Sequence, residues 1–156
     1  MNGPAAWRVG IIGLGTVGAE AARQLLAAGP PTLALTVFDK DPAQCEPWRG
    51  SATLAASAQE ALRESDLVLL ALPGEREIDR TLERFSDGKV GADIRGKLIW
   101  NLRPLPDDGP AGALRRAVEA AGARYVAGAS DPALANLREH FDAAGMQALL
   151  RAMCAA

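Results

Sequence analysis

The stretch VGIIGLGTVG, residues 9–18, decides the fold of this chain. It places three glycines in the spacing G-x-G-x-x-G directly after an apolar run at residues 9–12. Helix-forming residues follow from 19 to 28, and a second apolar run leads to Asp39, 21 positions after Gly18. A strand, a glycine turn, a helix, a second strand and an acid in this order are far more specific than glycine spacing alone.

The three glycines predict a turn that binds a dinucleotide. Gly13 permits a tight turn after the first strand, Gly15 lets a pyrophosphate approach the backbone, and Gly18 lets the helix pack closely on the strand. The amides around Gly15, Thr16 and Val17 are expected to point at the phosphates, because a helix N-terminus favours negative charge. The alternative is a tight strand–helix turn with an empty or degenerate pocket.

Asp39 predicts which dinucleotide binds. A carboxylate at the end of the second strand can accept hydrogen bonds from the adenosine ribose diol, whereas a 2′-phosphate there meets like charge. We therefore expect NAD rather than NADP. Lys40 weakens this argument, because its ammonium group can offset a phosphate. The alternative for Asp39 is an ordinary cap or turn residue before Asp41 and Pro42.

The composition is that of a globular protein. The chain has 156 residues, of which 49% are hydrophobic, and this length is enough for one domain with its own core. Its net charge is −2. No basic stripe is present, so we expect neither nucleic acid nor a membrane as a partner. No signal peptide is visible, and the apolar runs are too short to cross a bilayer. The two cysteines, Cys45 and Cys154, are far apart and lack metal-ligand spacing, which indicates no metal site and a reducing, cytoplasmic location.

Short apolar runs alternate with helical patterns along the whole chain, which predicts an α/β fold. We expect a Rossmann-like, doubly wound parallel sheet of about six strands with helices on both faces. The chain reads as a single dinucleotide-binding domain, residues 1–156, whose last helix, about 131–155, packs on the sheet or in a dimer. The predicted strands span residues 7–12, 32–38, 51–54, 66–72, 97–102 and 123–127, and the predicted helices span 16–28, 75–85 and 110–121, with a capped helix from Ser57 and a short turn from Asp41.

Further site candidates follow the later strands, because ligands bind at the carboxyl ends of parallel strands. The loop of Leu72, Pro73 and Gly74 is expected over the nicotinamide side, and Asn101 is expected to hydrogen-bond the carboxamide or a substrate. Both can equally be strand-end residues with no ligand. The predicted cofactor-binding residues are Gly13, Leu14, Gly15, Thr16, Val17, Gly18, Asp39, Lys40, Leu72, Pro73 and Asn101.

Candidates for catalysis are few. His140 is the single histidine and can act as a general acid if the last helix folds over the nicotinamide or a second subunit supplies it. A helical surface histidine is the simpler interpretation. Asp131 is a second candidate, although it is better placed to cap the last helix, with Pro132 at the first helical position. Arg103 can bind a substrate carboxylate, or it is a solvated loop arginine.

Three segments, RVGIIGLGTVG, VFDKDP and SAQEALRESDLVLLALP, make the chain similar to one known group. Over roughly residues 7–127 it resembles the cofactor domain of the 6-phosphogluconate dehydrogenase-like superfamily, which includes hydroxyisobutyrate dehydrogenases, imine reductases and prephenate dehydrogenases. The resemblance implies NAD(P) binding and hydride transfer between the cofactor and a small acid, ketone or imine.

The chain departs from that superfamily where substrates bind. Residues 101–104, Asn-Leu-Arg-Pro, stand where hydroxyisobutyrate-type enzymes have Asp-x-Ser-Thr, and residues 130–132, Ser-Asp-Pro, stand where prephenate dehydrogenases have a His-Pro pair. The helical substrate domain that carries the catalytic lysine or acid in these families is absent from the 156 residues. We therefore expect a homodimer or a separate substrate-domain partner to complete the site.

Three possibilities remain open from the sequence. The first is an NAD(P)-dependent oxidoreductase, or its cofactor-binding half, acting on a small carbonyl or imine substrate. The alternative is a non-catalytic NAD(H)-binding regulatory or sensor module, and a subunit that binds no nucleotide is a third possibility.

Overall fold

The computed structural model describes residues 7–28, 33–106, 112–128 and 131. Six strands form one sheet: β1 (Trp7–Ile12), β2 (Leu33–Phe38), β3 (Thr53–Leu54), β4 (Leu67–Leu70), β5 (Leu98–Asn101) and β6 (Arg124–Ala127). Five α-helices connect them: α1 (Thr16–Ala28), α2 (Pro42–Cys45), α3 (Ala58–Arg63), α4 (Glu75–Leu82) and α5 (Ala113–Ala120), with a 3₁₀ turn at Glu46–Trp48 after α2.

The strand order across the sheet is β3-β2-β1-β4-β5-β6, and every pair is parallel. The order runs one way from β1 to β3 and the other way from β4 to β6, so the topological switch point lies between β1 and β4. This is the doubly wound Rossmann arrangement, and it confirms the predicted fold class. Ligands of such sheets bind outside the carboxyl ends of the strands at the switch point.

The sheet is covered on both faces, as predicted from its continuous apolar strands. Alternate residues of one strand point to opposite faces. In β4, Leu67 and Leu69 belong to the core cluster on the α1 side, and Val68 and Leu70 belong to the opposite cluster. That second cluster receives the buried apolar residues of α3, α4 and α5, which are Ala61, Leu62, Ile78, Leu82, Leu114 and Val118.

The predicted caps at Asp41 and Ser57 are confirmed. The Asp41 carboxylate accepts a hydrogen bond from the Ala43 N–H at 3.0 Å, with Pro42 as the first residue of α2. The Ser57 hydroxyl accepts from the Glu60 N–H at 3.0 Å and starts α3. Both side chains satisfy amides that a helix start leaves without an intrahelical partner.

Some boundaries differ from the prediction by a few residues. Helix α4 ends at Leu82 rather than at residue 85, because Glu83 has the left-handed φ of 55° and the Arg84 N–H turns back to the Asp79 carbonyl at 2.8 Å. The predicted last helix lies outside the described residues except for Asp131. In the described ranges, no helix is long and apolar enough to cross a membrane, and no cluster of three or more His, Cys, Asp or Glu side chains is placed to hold a metal.

Candidate functional site

Two glycines of the turn between β1 and α1 are required by packing. Gly13 has a φ of +99°, and a Cβ on it would lie 2.4 Å from the Ala71 carbonyl oxygen. A Cβ on Gly18 would lie 1.7 Å from the Gly13 carbonyl oxygen. Only glycine allows β1, the start of α1 and the chain after β4 to approach this closely.

Gly15 has the opposite environment. It is exposed, and no atom lies within 4 Å of the position that a Cβ would take. Its carbonyl accepts the first helical hydrogen bond of α1, from the Ala19 N–H at 2.9 Å. The N–H groups of Thr16, Val17 and Gly18 therefore lack intrahelical partners. The first turn of α1 has no acidic side chain, so this helix start can accept an anionic group.

Asp39 is fixed beside the glycine turn. One carboxylate oxygen accepts a hydrogen bond from the Leu14 N–H at 2.7 Å, and the other accepts from the Asp41 N–H at 2.8 Å. The Gly13 N–H also donates to the Phe38 carbonyl at 2.8 Å, which joins the ends of β1 and β2. A carboxylate has about four acceptor positions, so two remain for an incoming ribose diol.

The first two basic residues after β2 are Lys40 and Arg49. Lys40 is exposed and directly follows Asp39. Arg49 donates two hydrogen bonds to the Glu46 carboxylate, at 3.1 and 2.6 Å. This hydrogen bonding, together with the positive charge of Arg49, lowers the pKa of Glu46 below its ordinary value. Arg49 is therefore already paired with an acid, and Lys40 is the cation next to the Asp39 carboxylate.

The loop after β4 joins the same site. The Ala71 N–H donates to the Ile12 carbonyl at 2.9 Å, and the Leu72 side chain lies 3.2 Å from the Cβ position of Gly13. Leu72 is half-buried and Pro73 is exposed. The structure thus brings the glycine turn, Asp39 and the Leu72 loop together at the switch point.

Asn101 has a different environment from the predicted one. Its side chain is fully buried, its amide donates to the Tyr125 hydroxyl at 3.1 Å, and its carbonyl oxygen accepts from the Arg103 N–H at 3.1 Å. Both ends of the amide therefore have partners inside the protein, and the predicted contact with a carboxamide or a substrate stays a prediction. Within the protein, Asn101 fixes the loop that follows β5.

Asp131 is a second candidate with an internal partner. Its carboxylate forms an ion pair with Arg115 and accepts a hydrogen bond from the Ala127 N–H at 2.9 Å. Only 10% of the Arg115 side chain and 8% of the Asp131 side chain are exposed, so this ion pair is buried. The role of Asp131 in catalysis stays a prediction. The predicted helix cap at Asp131, and His140, depend on residues outside the described ranges.

Sequence reasoning missed the cluster of Arg115, Tyr125 and Asn101. The Arg115 guanidinium lies 5.3 Å from the centroid of the Tyr125 ring and donates to the Tyr125 carbonyl at 3.0 Å. One signal was available, because a tyrosine in the apolar strand RYVA needs a hydrogen-bond partner for its hydroxyl group. The chain position of that partner depends on the β5–β6 register, which pairs Ile99 with Tyr125.

The residues at the switch point fit a dinucleotide. The open backbone at Gly15 leaves room for a pyrophosphate, the start of α1 offers N–H groups to it, and Asp39 can receive a ribose diol. Gly13 and Gly18 hold this arrangement by close packing. These features come from the backbone and from one carboxylate, and they do not specify a substrate.

Comparison with known proteins supports this assignment. Residues 8–93 match the family described as "NADP oxidoreductase coenzyme F420-dependent". The chain is 30% identical over 119 residues to the mitochondrial 3-hydroxyisobutyrate dehydrogenase of Drosophila melanogaster, an alignment that covers 76% of this chain and 35% of that enzyme.

Solved structures of similar proteins include imine reductases and reductive aminases. An imine reductase from Pseudomonas sp. superposes with a TM-score of 0.61 at 26% identity, covering 76% of this chain and 39% of that one. A reductive aminase from Aspergillus terreus, solved with NADPH and ethyl levulinate, gives a TM-score of 0.60 at 29% identity, covering 78% of this chain and 40% of that one. The chain thus spans between one third and about two fifths of these relatives.

All of these proteins are oxidoreductases. The family match spans residues 8–93 and therefore contains the glycine turn, Asp39 and the Leu72 loop. The comparisons support a pyridine-nucleotide cofactor for this Rossmann domain. Since the family match covers more than half of the 156 residues, this chain belongs to the family described as NADP oxidoreductase coenzyme F420-dependent.

Proposed function

We propose that this chain is an NAD(P)-dependent oxidoreductase, or its cofactor-binding half, acting on a small carbonyl or imine compound. The observation that carries the proposal is the pairing of two features at the switch point. The exposed helix start at Gly15 suits a pyrophosphate, and the Asp39 carboxylate, tied to the Leu14 N–H at 2.7 Å, suits a ribose. Together these two features support the binding of one extended nucleotide.

The roles of the chain's own residues follow from their environments. The N–H groups of Thr16, Val17 and Gly18 bind phosphate oxygens, and Asp39 orients the adenosine ribose. Leu72 and Pro73 supply an apolar wall on the nicotinamide side and exclude water there. When bound, the nicotinamide donates or accepts a hydride at C4.

We further propose that NAD(H) binds more tightly than NADP(H). A 2′-phosphate beside Asp39 meets a carboxylate whose two oxygens are already held by the Leu14 and Asp41 amides, so the carboxylate cannot easily turn away. Lys40 and the family description, which names NADP, favour the opposite preference. Asp39 has the greater weight because its carboxylate is fixed, whereas the ammonium group of Lys40 is at the end of an exposed, flexible side chain.

A binding experiment tests the first proposal. NADH titrated into the protein is expected to show enhanced nicotinamide fluorescence, and Gly15→Trp should abolish the enhancement by filling the space where the pyrophosphate lies. Ser86→Trp is the matched control, because Ser86 is exposed in the loop between α4 and β5, at the opposite edge of the sheet. Equal NADH binding by wild type and Gly15→Trp would refute a nucleotide site at this turn.

Turnover distinguishes an enzyme from a sensor. NADH oxidation is measured with 2-oxo acids, 3-oxo acids and cyclic imines, the substrate classes that the similarity to dehydrogenases and imine reductases suggests. Oxidation of one class above the no-substrate rate supports the oxidoreductase. Tight NADH binding without turnover of any class supports the regulatory module instead.

We also propose that a second protein element completes the pocket over the nicotinamide. The relatives, of which this chain spans 35–40%, support this idea, and either a second copy of the chain or a separate substrate domain can supply the element. Light scattering with and without NADH tests the first option, since a dimer that forms the pocket should be stabilised by the cofactor. The reducing cytoplasm remains the proposed compartment, on the cysteine usage of the sequence.

A further inference from the structure

Strands β5 and β6 are buried on the α1 side of the sheet. Leu98 and Trp100 of β5 and Val126 of β6 belong to the core cluster on that side, and they are 5%, 0% and 1% exposed. Three large apolar side chains lose this much contact with water only when other atoms pack closely over them. The burial exists within a single copy of the chain, so the covering atoms belong to the chain itself.

The described helices on the α1 side lie over the other half of the sheet. Helix α1 joins β1 to β2 and α2 joins β2 to β3, and right-handed crossovers keep such helices over the strands that they connect. Strand β6 lies three places from β1 in the opposite direction, which at about 4.8 Å per strand is about 14 Å. A helix with its side chains is only about 10 Å wide. The buried apolar residues of α3, α4 and α5 belong to the opposite cluster, so no described helix covers β6 on the α1 side.

Among the stretches outside the described ranges, residues 132–156 have the composition that such a cover needs. They contain seven Leu, Phe and Met residues, mostly spaced by three or four positions as in an amphipathic helix. These seven are Leu134, Leu137, Phe141, Met146, Leu149, Leu150 and Met153. The other stretches together contain one large apolar side chain, Met1, and they are residues 1–6, 29–32, 107–111 and 129–130.

Asp131 fixes the place where residues 132–156 begin. Its carboxylate accepts a hydrogen bond from the N–H of Ala127, the last residue of β6. The Arg124 N–H donates to the Lys97 carbonyl beside β5, so the Ala127 N–H, three residues further on, points to the free side of β6. Asp131 therefore lies at the outer edge of the sheet, beside the carboxyl end of β6. From this edge the α1 side is within reach, whereas α5, which carries Arg115, already packs on the opposite side.

We propose that residues 132–156 pack against β5 and β6 on the α1 side of their own sheet, running from the carboxyl edge back toward the amino edge. The start at Asp131 sets this direction, and the seven apolar residues supply the surface that buries Trp100 and Val126. The same apolar residues are then not available as a seam between two copies of the chain.

The proposed packing decides where His140 lies, and this consequence rests on the proposed function. A helix rises about 1.5 Å per residue, so a helix that begins at Pro132 carries residue 140 about 12 Å away from the carboxyl edge. The nicotinamide half of a dinucleotide lies outside that edge, over β4 and β5. His140 is therefore kept away from the nicotinamide of its own chain. The proton donor for a carbonyl or imine then comes from the second protein element proposed above.

Thiol labelling of two buried positions in the full chain tests the packing. Val126→Cys and Ile99→Cys are made separately in a chain whose own cysteines, Cys45 and Cys154, are replaced by alanine. Val126 faces the α1 side and Ile99 of the neighbouring strand faces the opposite side, and they are 1% and 0% exposed. Ile99→Cys is therefore the matched control for unfolding of the domain as a whole.

Leu137→Asp combined with Phe141→Asp weakens the proposed packing. We expect this pair to accelerate the labelling of Val126→Cys about tenfold or more and to leave that of Ile99→Cys nearly unchanged, because only one side of the sheet opens. Leu137→Ala alone should give the same selective effect at a smaller size. Unchanged labelling of Val126→Cys overturns the proposal. Equal acceleration at both positions also overturns it, because residues 132–156 then stabilise the domain without covering this side.

Dilution distinguishes a cover from the same chain from one that a second copy supplies. The labelling rate of Val126→Cys, without the aspartate substitutions, should stay constant when the protein is diluted about 100-fold, because an intramolecular contact does not depend on protein concentration. Faster labelling on dilution means that a second copy covers this side, which overturns the proposal.

The position of His140 is tested by NMR. It is the single histidine of the chain, so its ring-proton signals are identified without ambiguity. Saturating NADH should shift the Gly15 amide signal and leave the His140 signals in place. A shift of both places His140 beside the nucleotide and overturns the inference. A Gly15 signal that does not move, with no other sign of NADH binding, refutes the proposed function, while the labelling experiment still decides the packing.

Discussion

At the residue scale, the three glycines of the turn have three different surroundings. Alanine at Gly18 or Gly13 places a methyl group 1.7 or 2.4 Å from a backbone carbonyl oxygen, and backbone cannot move aside as a side chain can. Alanine at Gly15 meets nothing within 4 Å. Gly13 and Gly18 are therefore needed for packing, whereas Gly15 leaves space for a ligand.

This difference predicts opposite phenotypes for neighbouring substitutions. We expect Gly18→Ala to lower the free energy of unfolding by about 1–3 kcal/mol or more, the usual cost of overpacking, and Gly13→Ala to add backbone strain to a similar clash. Gly15→Ala should change stability by less than about 0.5 kcal/mol and weaken NADH binding. Urea unfolding and NADH titration of the three variants measure both effects. Equal destabilisation by Gly15→Ala and Gly18→Ala would contradict the packing described here.

Asp39 carries the prediction about cofactor preference. Asp39→Asn keeps an oxygen that can accept the Leu14 N–H but removes the negative charge. Hydrogen bonds to charged groups contribute about 1.5–3 kcal/mol, so NADH affinity should fall about tenfold or more. NADPH affinity should rise, because the repulsion of the 2′-phosphate is lost.

The measured quantity is the ratio of the two dissociation constants, in which any general loss of stability cancels. Asp66→Asn, at the amino end of β4, is the control that should leave the ratio unchanged. A wild type that binds NADPH as tightly as NADH would defeat the prediction at once. An unchanged ratio in Asp39→Asn would show that another residue sets the preference.

At the element scale, a single buried ion pair joins α5, the end of β6 and residue 131. Arg115, on α5, donates a hydrogen bond to the Tyr125 carbonyl in β6 and forms an ion pair with Asp131. The Asp131 carboxylate also accepts a hydrogen bond from the Ala127 N–H. Removing one partner of a buried pair leaves an uncompensated charge. The pair therefore matters more for the position of these elements than surface pairs such as Arg49 with Glu46 do.

We expect Arg115→Met to lower the free energy of unfolding by about 3–5 kcal/mol, because Asp131 is then buried without its cation. Arg115→Met combined with Asp131→Leu should recover part of this loss, since it removes both charges. Urea unfolding measures the effect, with Arg116→Met on the exposed face of α5 as the control. An effect of Arg115→Met no larger than that of the control would show that the pair contributes nothing.

At the scale of the whole molecule, the features that the sequence predicted are those with local signals. Each of these features depends on residues that lie close together in the sequence. They are the glycine turn, the caps at Asp41 and Ser57, and the alternation of strands and helices. Together with right-handed crossovers they predict the doubly wound parallel sheet that the structure shows. The turn after α4 was placed three residues late, because a left-handed glutamate at position 83 has no sequence signature.

Contacts between distant residues could not be predicted in the same way. Asn101 and Tyr125 are 24 positions apart, and their hydrogen bond depends on the register of β5 and β6. The sequence alone predicts that an asparagine at a strand end is exposed. The structure shows that Asn101 and Tyr125 are both buried and that Asn101 supports the loop after β5. The tie between Asp39 and the Leu14 amide was also invisible, although the sequence had placed both residues in the site.

Cofactor binding should stabilise the entire domain, because the proposed nucleotide site joins the two halves of the sheet through β1, β2 and β4. NADH at about 100 times its dissociation constant adds about 2.7 kcal/mol to the stability of the folded state. For a domain of this size, that corresponds to a rise in Tm of about 5–11 °C. Gly15→Trp should keep the Tm of the free protein and lose the rise, whereas Ser86→Trp should show it in full. A rise that survives in Gly15→Trp would place the nucleotide elsewhere, and its absence from the wild type would leave a Rossmann fold that binds no nucleotide.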